Sequence, residues 1–339
     1  MHRAHGRQIL RRFAAKDKLR KMNQFFEYAR VNGSVPPADR DRIDVAVLDM
    51  NHSWPNVGHD SIVRAVREAA EWYQGSGLIV RVISFDVRGA MNIPSIDRFK
   101  LFIGTGGPGH LDPRLNDGAA EWSQGIVESA EWEAPLFRLF DQIVADDASA
   151  LIAICHSFGL LCRWSGAALP VLRSEKSSGM PTNVLSDAGI AHPWFGRFAH
   201  QLPDGRHFRV VDNRLFDLVT DRRDATMIAF QEQSGDGLTM LELARDADEM
   251  PRVFGANYHP EIVDREHIMT VLERKRNHGE VTHEWYAERA TTMLDLFTGE
   301  QERQSRLTSE YTLLAPLRHH VGRLVAERCE VASQVPSAL

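Results

Sequence analysis

The sequence predicts an α/β fold in which helices cover both faces of a mostly parallel central sheet. Short runs that are almost wholly apolar, such as residues 43–50 and 150–154, alternate with helical patterns, such as residues 59–73 and 135–145. Strands buried on both faces of a parallel sheet have such continuous apolar runs. Alternation of strands with helices is typical of βαβ units.

Composition narrows the class of protein. The chain has 339 residues, of which 43% are hydrophobic and 25% are charged, as in globular proteins. Its net charge of -6 does not favour nucleic-acid binding, which needs a concentrated basic face. No apolar run approaches the roughly 20 residues of a membrane span. The three cysteines do not form a disulfide framework, so we expect a cytoplasmic protein without a nucleic-acid or membrane partner.

Residues 1–42 form the first of three predicted parts, a basic N-terminal extension. We expect a helix through about residue 28, because Ile9, Phe13, Met22 and Phe26 roughly share one helical face. Such an amphipathic helix would dock on the body of the protein or on a second copy of the chain. One of the open arrangements is therefore a homo-oligomer.

Residues 43–264 form the predicted catalytic body, in which βα alternation gives way to successive strands from about residue 170. The predicted helices are residues 59–73 and 135–145, and the predicted strands are residues 43–50, 78–85, 99–103, 150–154, 208–211, 226–231, 239–244 and 253–258. Residues 265–339 are predicted as a helical C-terminal extension. Its predicted helices are residues 267–276, 282–297 and 302–330, the last one kinked or broken by Pro316.

A glycine-rich turn follows one of the predicted strands. Residues 104–109 read Gly-Thr-Gly-Gly-Pro-Gly, so the backbone can turn sharply and expose N–H groups. Two such groups can stabilise an oxyanion. The turn does not match a dinucleotide-binding fingerprint, since Pro108 interrupts the spacing. By itself it is equally compatible with a plain tight turn.

A candidate nucleophile follows the most apolar strand. Residues 150–154 lead directly into Cys155, and an apolar helical pattern follows. This is the layout of a nucleophile elbow, in which a strained turn presents a side chain above the sheet. A thiolate there would be stabilised by the positive end of the helix dipole. The alternative is a small buried cysteine without chemistry, which describes Cys162 well.

A candidate base follows the last predicted strand. That strand ends near His259, and Glu261 comes two residues later. A carboxylate in that position can orient an imidazole, which in turn can accept a thiol proton.

These three segments, in this order, resemble the class I glutamine amidotransferase domain with a Cys-His-Glu triad. The resemblance covers residues 43–264 and rests on Gly-Gly-Pro-Gly, Ile-Cys and the closing Tyr-His-Pro-Glu. It implies a flavodoxin-like fold. It also implies that Cys155 is the nucleophile, that His259 is the general base and acid, and that Glu261 orients His259.

The resemblance further implies an oxyanion hole and a substrate pocket. The oxyanion would be held by Gly106 or Gly107 together with the N–H group of His156. The expected pocket residues are Ser157, Asn213, Arg214 and Leu215. No cofactor is implied. No metal site is expected either, because the spacing of Asp49, His52, His59 and Asp60 matches no structural zinc pattern.

Two positions of the elbow depart from the family. Where the family has Gly two residues after the nucleophile and Gln four residues after it, this chain has Ser157 and Gly159. In the family, the side chain of that glutamine helps to hold the substrate, and this chain lacks it. A changed acyl substrate is therefore one expectation.

The sequence leaves three functions open. The first is a cysteine amidase that hydrolyses glutamine or a related amide through a thioester. No Gly-x-x-x-x-Gly-Lys-Ser/Thr loop is present, so an ammonia acceptor would be on another chain, such as a synthetase partner. The second is a stand-alone hydrolase of γ-glutamyl peptides, and the third is a regulatory module with a vestigial site.

Overall fold

The computed structural model describes residues 25–52, 56–224, 226–233, 235–279 and 281–334. Within these residues ten strands form one large sheet and two form a small one. The strands are β1 Phe26–Arg30, β2 Arg42–Asp49, β3 Ile79–Asp86, β4 Leu101–Gly104, β5 Ala150–Ile154, β6 Leu169–Gly179, β7 Thr182–Leu185, β8 His207–Arg209, β9 Asp212–Val219, β10 Met227–Gln231, β11 Leu238–Arg245 and β12 Pro251–Ala256.

The large sheet has a parallel half and an antiparallel half. Its strand order is β1-β3-β2-β4-β5-β12-β11-β10-β7-β8. Neighbours are parallel from β1 across to β12, and antiparallel from β12 to β8. The predicted mostly parallel α/β sheet is thus confirmed. Strands β6 and β9 pair antiparallel in the separate small sheet.

Helices cover both faces of the large sheet, as predicted. They are α1 Val57–Glu71, α2 Glu133–Ala145, α3 His156–Ser165, α4 Asp187–Ala191, α5 Phe195–Ala199, α6 Arg265–Asn277, α7 His283–Leu296, α8 Gly299–Ser309 and α9 Ala315–Gln334. Within the described residues, no helix is both long and apolar enough to cross a membrane.

Successive side chains of the central strands enter two separate cores. On β2, Val45 and Val47 pack in the core that contains α1, α5 and α9. Ala46 and Leu48 pack in the opposite core, which contains α2 and α3. Because side chains alternate along a strand, a strand buried on both faces must be apolar throughout. This explains the continuous apolar runs of the sequence.

The N-terminal prediction is wrong where the structure describes that region. Residues 26–28, the end of the predicted helix, belong to β1, which pairs in parallel with β3 at the sheet edge. The unpaired backbone edge of β3 favours an added strand, and this tertiary pairing outweighs the helical periodicity. Arg30 also pairs with Asp49 at 2.7 Å. The sheet therefore begins before the predicted boundary at residue 43, and residues 1–24 lie outside the described part.

The C-terminal helices pack onto the body of the protein. Leu313, Leu317 and Val321 are fully buried in the core beside α1. The Tyr73 hydroxyl donates to the Arg318 carbonyl at 2.8 Å. At the predicted break, residues 310–314 form a π-helical segment directly before Pro316. Proline has no backbone N–H group to donate, and the wider π-helical turn tolerates the missing hydrogen bond, so the chain stays helical.

Gly255→Ala tests the contact between the two strands that carry the candidate site. A Cβ atom there would lie 2.4 Å from the Ala153 carbonyl oxygen of β5. We expect a loss of about 1–3 kcal/mol in the free energy of unfolding, as for overpacked cores. Urea denaturation measures it. The matched control is Gly75→Ala, whose Cβ meets nothing within 4 Å. Equal stability of the two variants would contradict the close approach of the strands.

Candidate active site

Cys155 occupies a strained turn between β5 and α3. Its backbone angles are φ 51° and ψ -106°, in a region that residues other than glycine rarely adopt. The Cys155 N–H group donates to the Ala256 carbonyl of β12 at 2.8 Å. The side chain is therefore presented at the carboxyl ends of the parallel strands, where α/β proteins form their sites. This is the geometry of a nucleophile elbow.

His259 and Glu261 form a buried pair in the turn after β12. The His259 Nδ1–H group donates to Glu261 Oε1 at 2.8 Å. Burial alone would lower the pKa of His259. The charges of Glu261 and Cys155, with the hydrogen bonds to both side chains, outweigh it and raise that pKa well above its usual value. The arrangement thus favours an imidazolium beside the sulfur of Cys155.

The N-terminus of α1 supports the Glu261 carboxylate. A Cβ atom at Gly58 would lie only 2.8 Å from Glu261 Oε1, so glycine permits this approach. Asn56 caps the same helix by accepting from the His59 N–H group. The positive end of a helix dipole stabilises a nearby carboxylate. Gly58 was not identified from the sequence, although Asn56, a residue type that commonly caps helices, stands two positions earlier and indicates that a helix begins there.

The glycine-rich turn after β4 lies against the nucleophile. A Cβ atom at Gly106 would lie 3.7 Å from Cys155 Sγ and 3.1 Å from His259 Cε1. A Cβ atom at Gly107 would lie 2.2 Å from the Met50 carbonyl oxygen, so no larger residue fits there. His156 begins α3, where its N–H group has no acceptor within the helix. The glycine-rich turn and the N-terminus of this helix therefore both border Cys155.

A buried ion pair holds the glycine-rich turn in place. Arg88 and Glu128 are paired at 2.6 Å, and both side chains are wholly inaccessible to solvent. Arg88 also donates to the carbonyls of Pro108 at 2.6 Å and Met50 at 2.9 Å. It thereby ties the turn after β4 to the end of β2. Sequence reasoning missed this pair, because its partners are 40 residues apart in chain segments without regular pattern.

The predicted site residues meet at one cavity of about 220 Å³. Glu261 lies behind His259 and does not line the cavity. The predicted residues that line it are Cys155, His259, Gly106, Gly107, His156, Asn213, Arg214 and Leu215. Burial and the charge of Arg88 lower the pKa of His156 well below its usual value, so this imidazole is neutral.

The structure corrects the prediction that Ser157 lines the pocket. Its hydroxyl donates to the Ile154 carbonyl at 2.9 Å and accepts from the Ile154 N–H group at 2.8 Å. The side chain is 1% exposed and packs where a Cβ at Gly104 would stand. The Ser157 side chain therefore packs against Ile154 and Gly104 and faces away from the cavity, because its position on the first turn of α3 directs it toward the sheet.

Leu111 fills the space beside Gly159. A Cβ atom at Gly159 would lie 2.5 Å from Leu111 Cδ1, and Leu111 lines the cavity. An apolar side chain thus lies where a longer residue at 159 would project. Arg214 lines the cavity, and its guanidinium contacts the carboxylates of Asp212, 3.0 Å away, and of Asp217.

The C-terminal helices complete the cavity wall. Ile268 and Leu272 from α6, and Trp285, Arg289 and Met293 from α7, line it. Sequence reasoning placed these residues in a separate extension, because their helical pattern carries no indication of what they pack against. The cavity therefore has a largely apolar wall on this side that comes from outside the predicted catalytic body.

One group of potential metal ligands lies away from this cavity. Asp246, His319 and His320 bring three candidate ligand atoms within 4.8 Å of one another. His319 is already hydrogen-bonded to Asp246 at 2.6 Å. The Arg323 guanidinium lies 4.0 Å from the same carboxylate and opposes a bound cation.

Comparison with known proteins finds likeness in structure only. No model of a known protein family and no curated protein sequence matches this chain. A glutamine amidotransferase from Thermotoga maritima is similar with a TM-score of 0.49 and 14% identity, over 83% of this chain and 98% of that one. Another from Methylobacillus flagellatus is similar with a TM-score of 0.43 and 13% identity, over 84% and 94%. A putative GMP synthase component from Thermoplasma acidophilum has a TM-score of 0.40 and 13% identity, over 70% and 98%.

The chain has an α/β fold with a mostly parallel central sheet. The sheet order, with β5 and β12 adjacent and parallel, places the elbow and His259 side by side. At these identities and TM-scores the similarity says nothing about the activity of this chain, which depends on its own residues.

Glu261→Gln tests the electrostatics of the buried pair. Because the Glu261 charge raises the pKa of His259, its removal should lower that pKa toward the usual value for histidine. Because the pKa of His259 is higher in the folded than in the unfolded protein, its protonation stabilises the fold fully at pH values below the pKa of an unfolded histidine. This stabilisation is lost as the pH rises through the pKa that His259 has in the folded protein. NMR titration of the imidazole measures the change. His207, an exposed histidine paired with Asp204, is the internal control. An unchanged His259 titration would contradict the pairing.

Proposed function

We propose that this protein is a cysteine-dependent amidase of the glutamine amidotransferase type. The observation that carries the proposal is the elbow at Cys155, which faces the His259–Glu261 pair across one cavity. A strained cysteine and a base that share one cavity, with an orienting carboxylate behind the base, are the components of nucleophilic amide hydrolysis. A purely structural cysteine requires neither the strain nor the buried pair.

The proposed reaction proceeds through a thioester. The Cys155 thiolate attacks the amide carbonyl carbon, a C–S bond forms, and the carbonyl electron pair moves to oxygen. N–H groups of the glycine-rich turn and of His156 stabilise this oxyanion. His259 then protonates the leaving nitrogen as the C–N bond breaks. Water attacks the thioester and gives its proton to His259, and the C–S bond breaks to release a carboxylic acid product and the thiolate.

Two features bear on the substrate. Leu111 occupies the space next to Gly159, so the glutamine grip that resemblance to the family implies is altered. The side chains of α6 and α7 add an apolar wall to the cavity, which suits a substrate with further carbon groups. Both favour an amide larger than glutamine, such as a γ-glutamyl compound, as the second candidate substrate class.

A partner chain would use the ammonia if glutamine is the substrate. The sequence carries no Gly-x-x-x-x-Gly-Lys-Ser/Thr loop that would bind the nucleotide of an ammonia-consuming synthetase. A synthetase partner chain is therefore part of this proposal, and a homo-oligomer is the alternative assembly.

Replacement of the nucleophile tests the proposal directly. We expect Cys155→Ala to lose nearly all release of ammonia from glutamine and of nitroaniline from γ-glutamyl-p-nitroanilide, because no other group can form the thioester. Coupled ammonia and absorbance assays measure the two rates. Cys329→Ser, which changes an exposed thiol, should keep the wild-type rates. Equal turnover by Cys155→Ala would rule out this mechanism, and no turnover by any variant would favour a vestigial site.

Leu111 and Gly159 together test the substrate grip. Gly159→Gln alone should bind poorly, because its side chain collides with Leu111. The double variant Leu111→Ala/Gly159→Gln removes that collision and should lower KM for glutamine by roughly fivefold to a hundredfold, the value of one regained hydrogen bond. Leu111→Ala alone is the matched control. No difference between the double variant and this control would show that position 159 does not contact the substrate.

A further inference from the structure

Two cations face the cavity without a partner. Lys176 extends from β6, and Arg289 extends from α7 of the C-terminal helices. Within the described part of the chain, neither side chain has a hydrogen bond or an ion pair. The Nε atom of Arg289 is buried without an acceptor, and its guanidinium lies 5.6 Å from the centre of the Trp285 ring.

Two nearby arginines, one that lines the cavity and one behind the glycine-rich turn, are already paired with carboxylates. Arg214 contacts the carboxylates of Asp212 and Asp217. Arg88, which supports the glycine-rich turn, is paired with Glu128. Lys176 and Arg289 therefore differ from their neighbours in leaving positive charge available to whatever enters the cavity.

Lys176 and Arg289 line the same cavity. Burial and the charge of Arg289 lower the pKa of Lys176, whereas the charges of Glu288 and Cys155 act in the opposite direction. Placing like charges together in a cavity costs free energy unless an anion lies between them. Cys155 lines the same cavity, so the two cations share it with the nucleophile.

We propose that Lys176 and Arg289 bind a carboxylate of the amide substrate. This inference rests on the proposed function and specifies its substrate class: an amide that carries a negatively charged carboxylate near the bond to be broken. Arginine suits a carboxylate because its planar guanidinium can donate two parallel hydrogen bonds, and lysine adds a compact charge. A γ-glutamyl compound meets this requirement through its α-carboxylate.

The proposal also gives α7 a function. Because one of the two cations comes from this helix, the C-terminal segment takes part in substrate recognition as well as in closing the cavity wall. Trp285 and Met293 flank Arg289 on the same wall and provide apolar contact for the substrate's carbon chain.

The first experiment does not require turnover. Cys155 is alkylated with iodoacetate, which is negatively charged, and with iodoacetamide, which is neutral and of similar size. Mass spectrometry gives the rate at Cys155 for each reagent, and their ratio reports the positive potential at the sulfur. We expect Lys176→Gln and Arg289→Gln each to lower the iodoacetate-to-iodoacetamide ratio by about threefold to tenfold, as expected for loss of one nearby charge.

Two variants act as controls for this ratio. Lys176→Arg keeps the charge and should keep the wild-type ratio. Arg138→Gln removes one charge from an exposed position of α2 outside the cavity and should also leave it unchanged. An equal ratio in wild type, Lys176→Gln and Arg289→Gln would overturn the proposal, as would the same decrease in Arg138→Gln.

The second experiment separates binding from chemistry. Steady-state rates are measured for γ-glutamyl-p-nitroanilide and for its analogue with the α-carboxylate converted to a neutral amide. We expect Lys176→Gln to raise KM for the carboxylate substrate about tenfold, with kcat within about twofold, and to leave KM for the neutral analogue unchanged. Equal KM increases for both substrates would contradict carboxylate recognition.

The two experiments distinguish failure of this inference from failure of the proposed function. If the iodoacetate-to-iodoacetamide ratio falls in the two variants as expected but no hydrolysis is found, the anion site is supported and the amidase is rejected. Hydrolysis with no charge preference would support the amidase and reject the anion site. Protection of Cys155 from iodoacetamide by inorganic phosphate but not by glutarate would also overturn the assignment to a carboxylate.

Discussion

The hydrogen bond from the Cys155 N–H group to the Ala256 carbonyl is the constraint on which the site depends. It continues the parallel pairing of β5 and β12 by one step beyond Ile154. Because both strands end at the same edge of the sheet, the turns that follow them must lie side by side. Cys155 and His259, which are 104 positions apart in the chain, are brought together in this way. Without that pairing neither turn would have a fixed neighbour.

The glycine-rich turn depends on a different interaction, the buried pair of Arg88 and Glu128. Removing one partner of such a pair leaves an unpaired charge, which typically costs about 3–5 kcal/mol. Glu128 also accepts from Asn116 and from Trp132, so one carboxylate organises the segment that follows the turn. The glycine-rich turn beside Cys155 is therefore held by a network that joins Arg88 to a segment centred 40 residues later in the chain.

Sequence reasoning succeeded where local pattern and tertiary environment agree. The limits of β5 were predicted to the residue, because a strand buried on both faces is apolar throughout and ends at the polar elbow. Prediction failed at β1, because an edge strand is defined by the neighbour it pairs with and residues 26–30 have no decisive pattern. The prediction for Ser157 failed for a related reason, because a side chain on the first turn of a helix can face either the cavity or the sheet. The Ser157 hydroxyl is hydrogen-bonded to the backbone of Ile154, which holds the side chain toward the sheet.

The sequence by itself determined the α/β class, the order of the three motifs and the chemical character of Cys155, His259 and Glu261, since each depends on residue type and on nearby chain. Only the tertiary structure decided which residues surround them. Lys176 and Arg289 lie in segments whose patterns indicate a strand and a helix, and nothing in those patterns indicates a shared cavity. Local periodicity shows which face of an element is apolar, whereas the packing of the whole chain decides what that face meets.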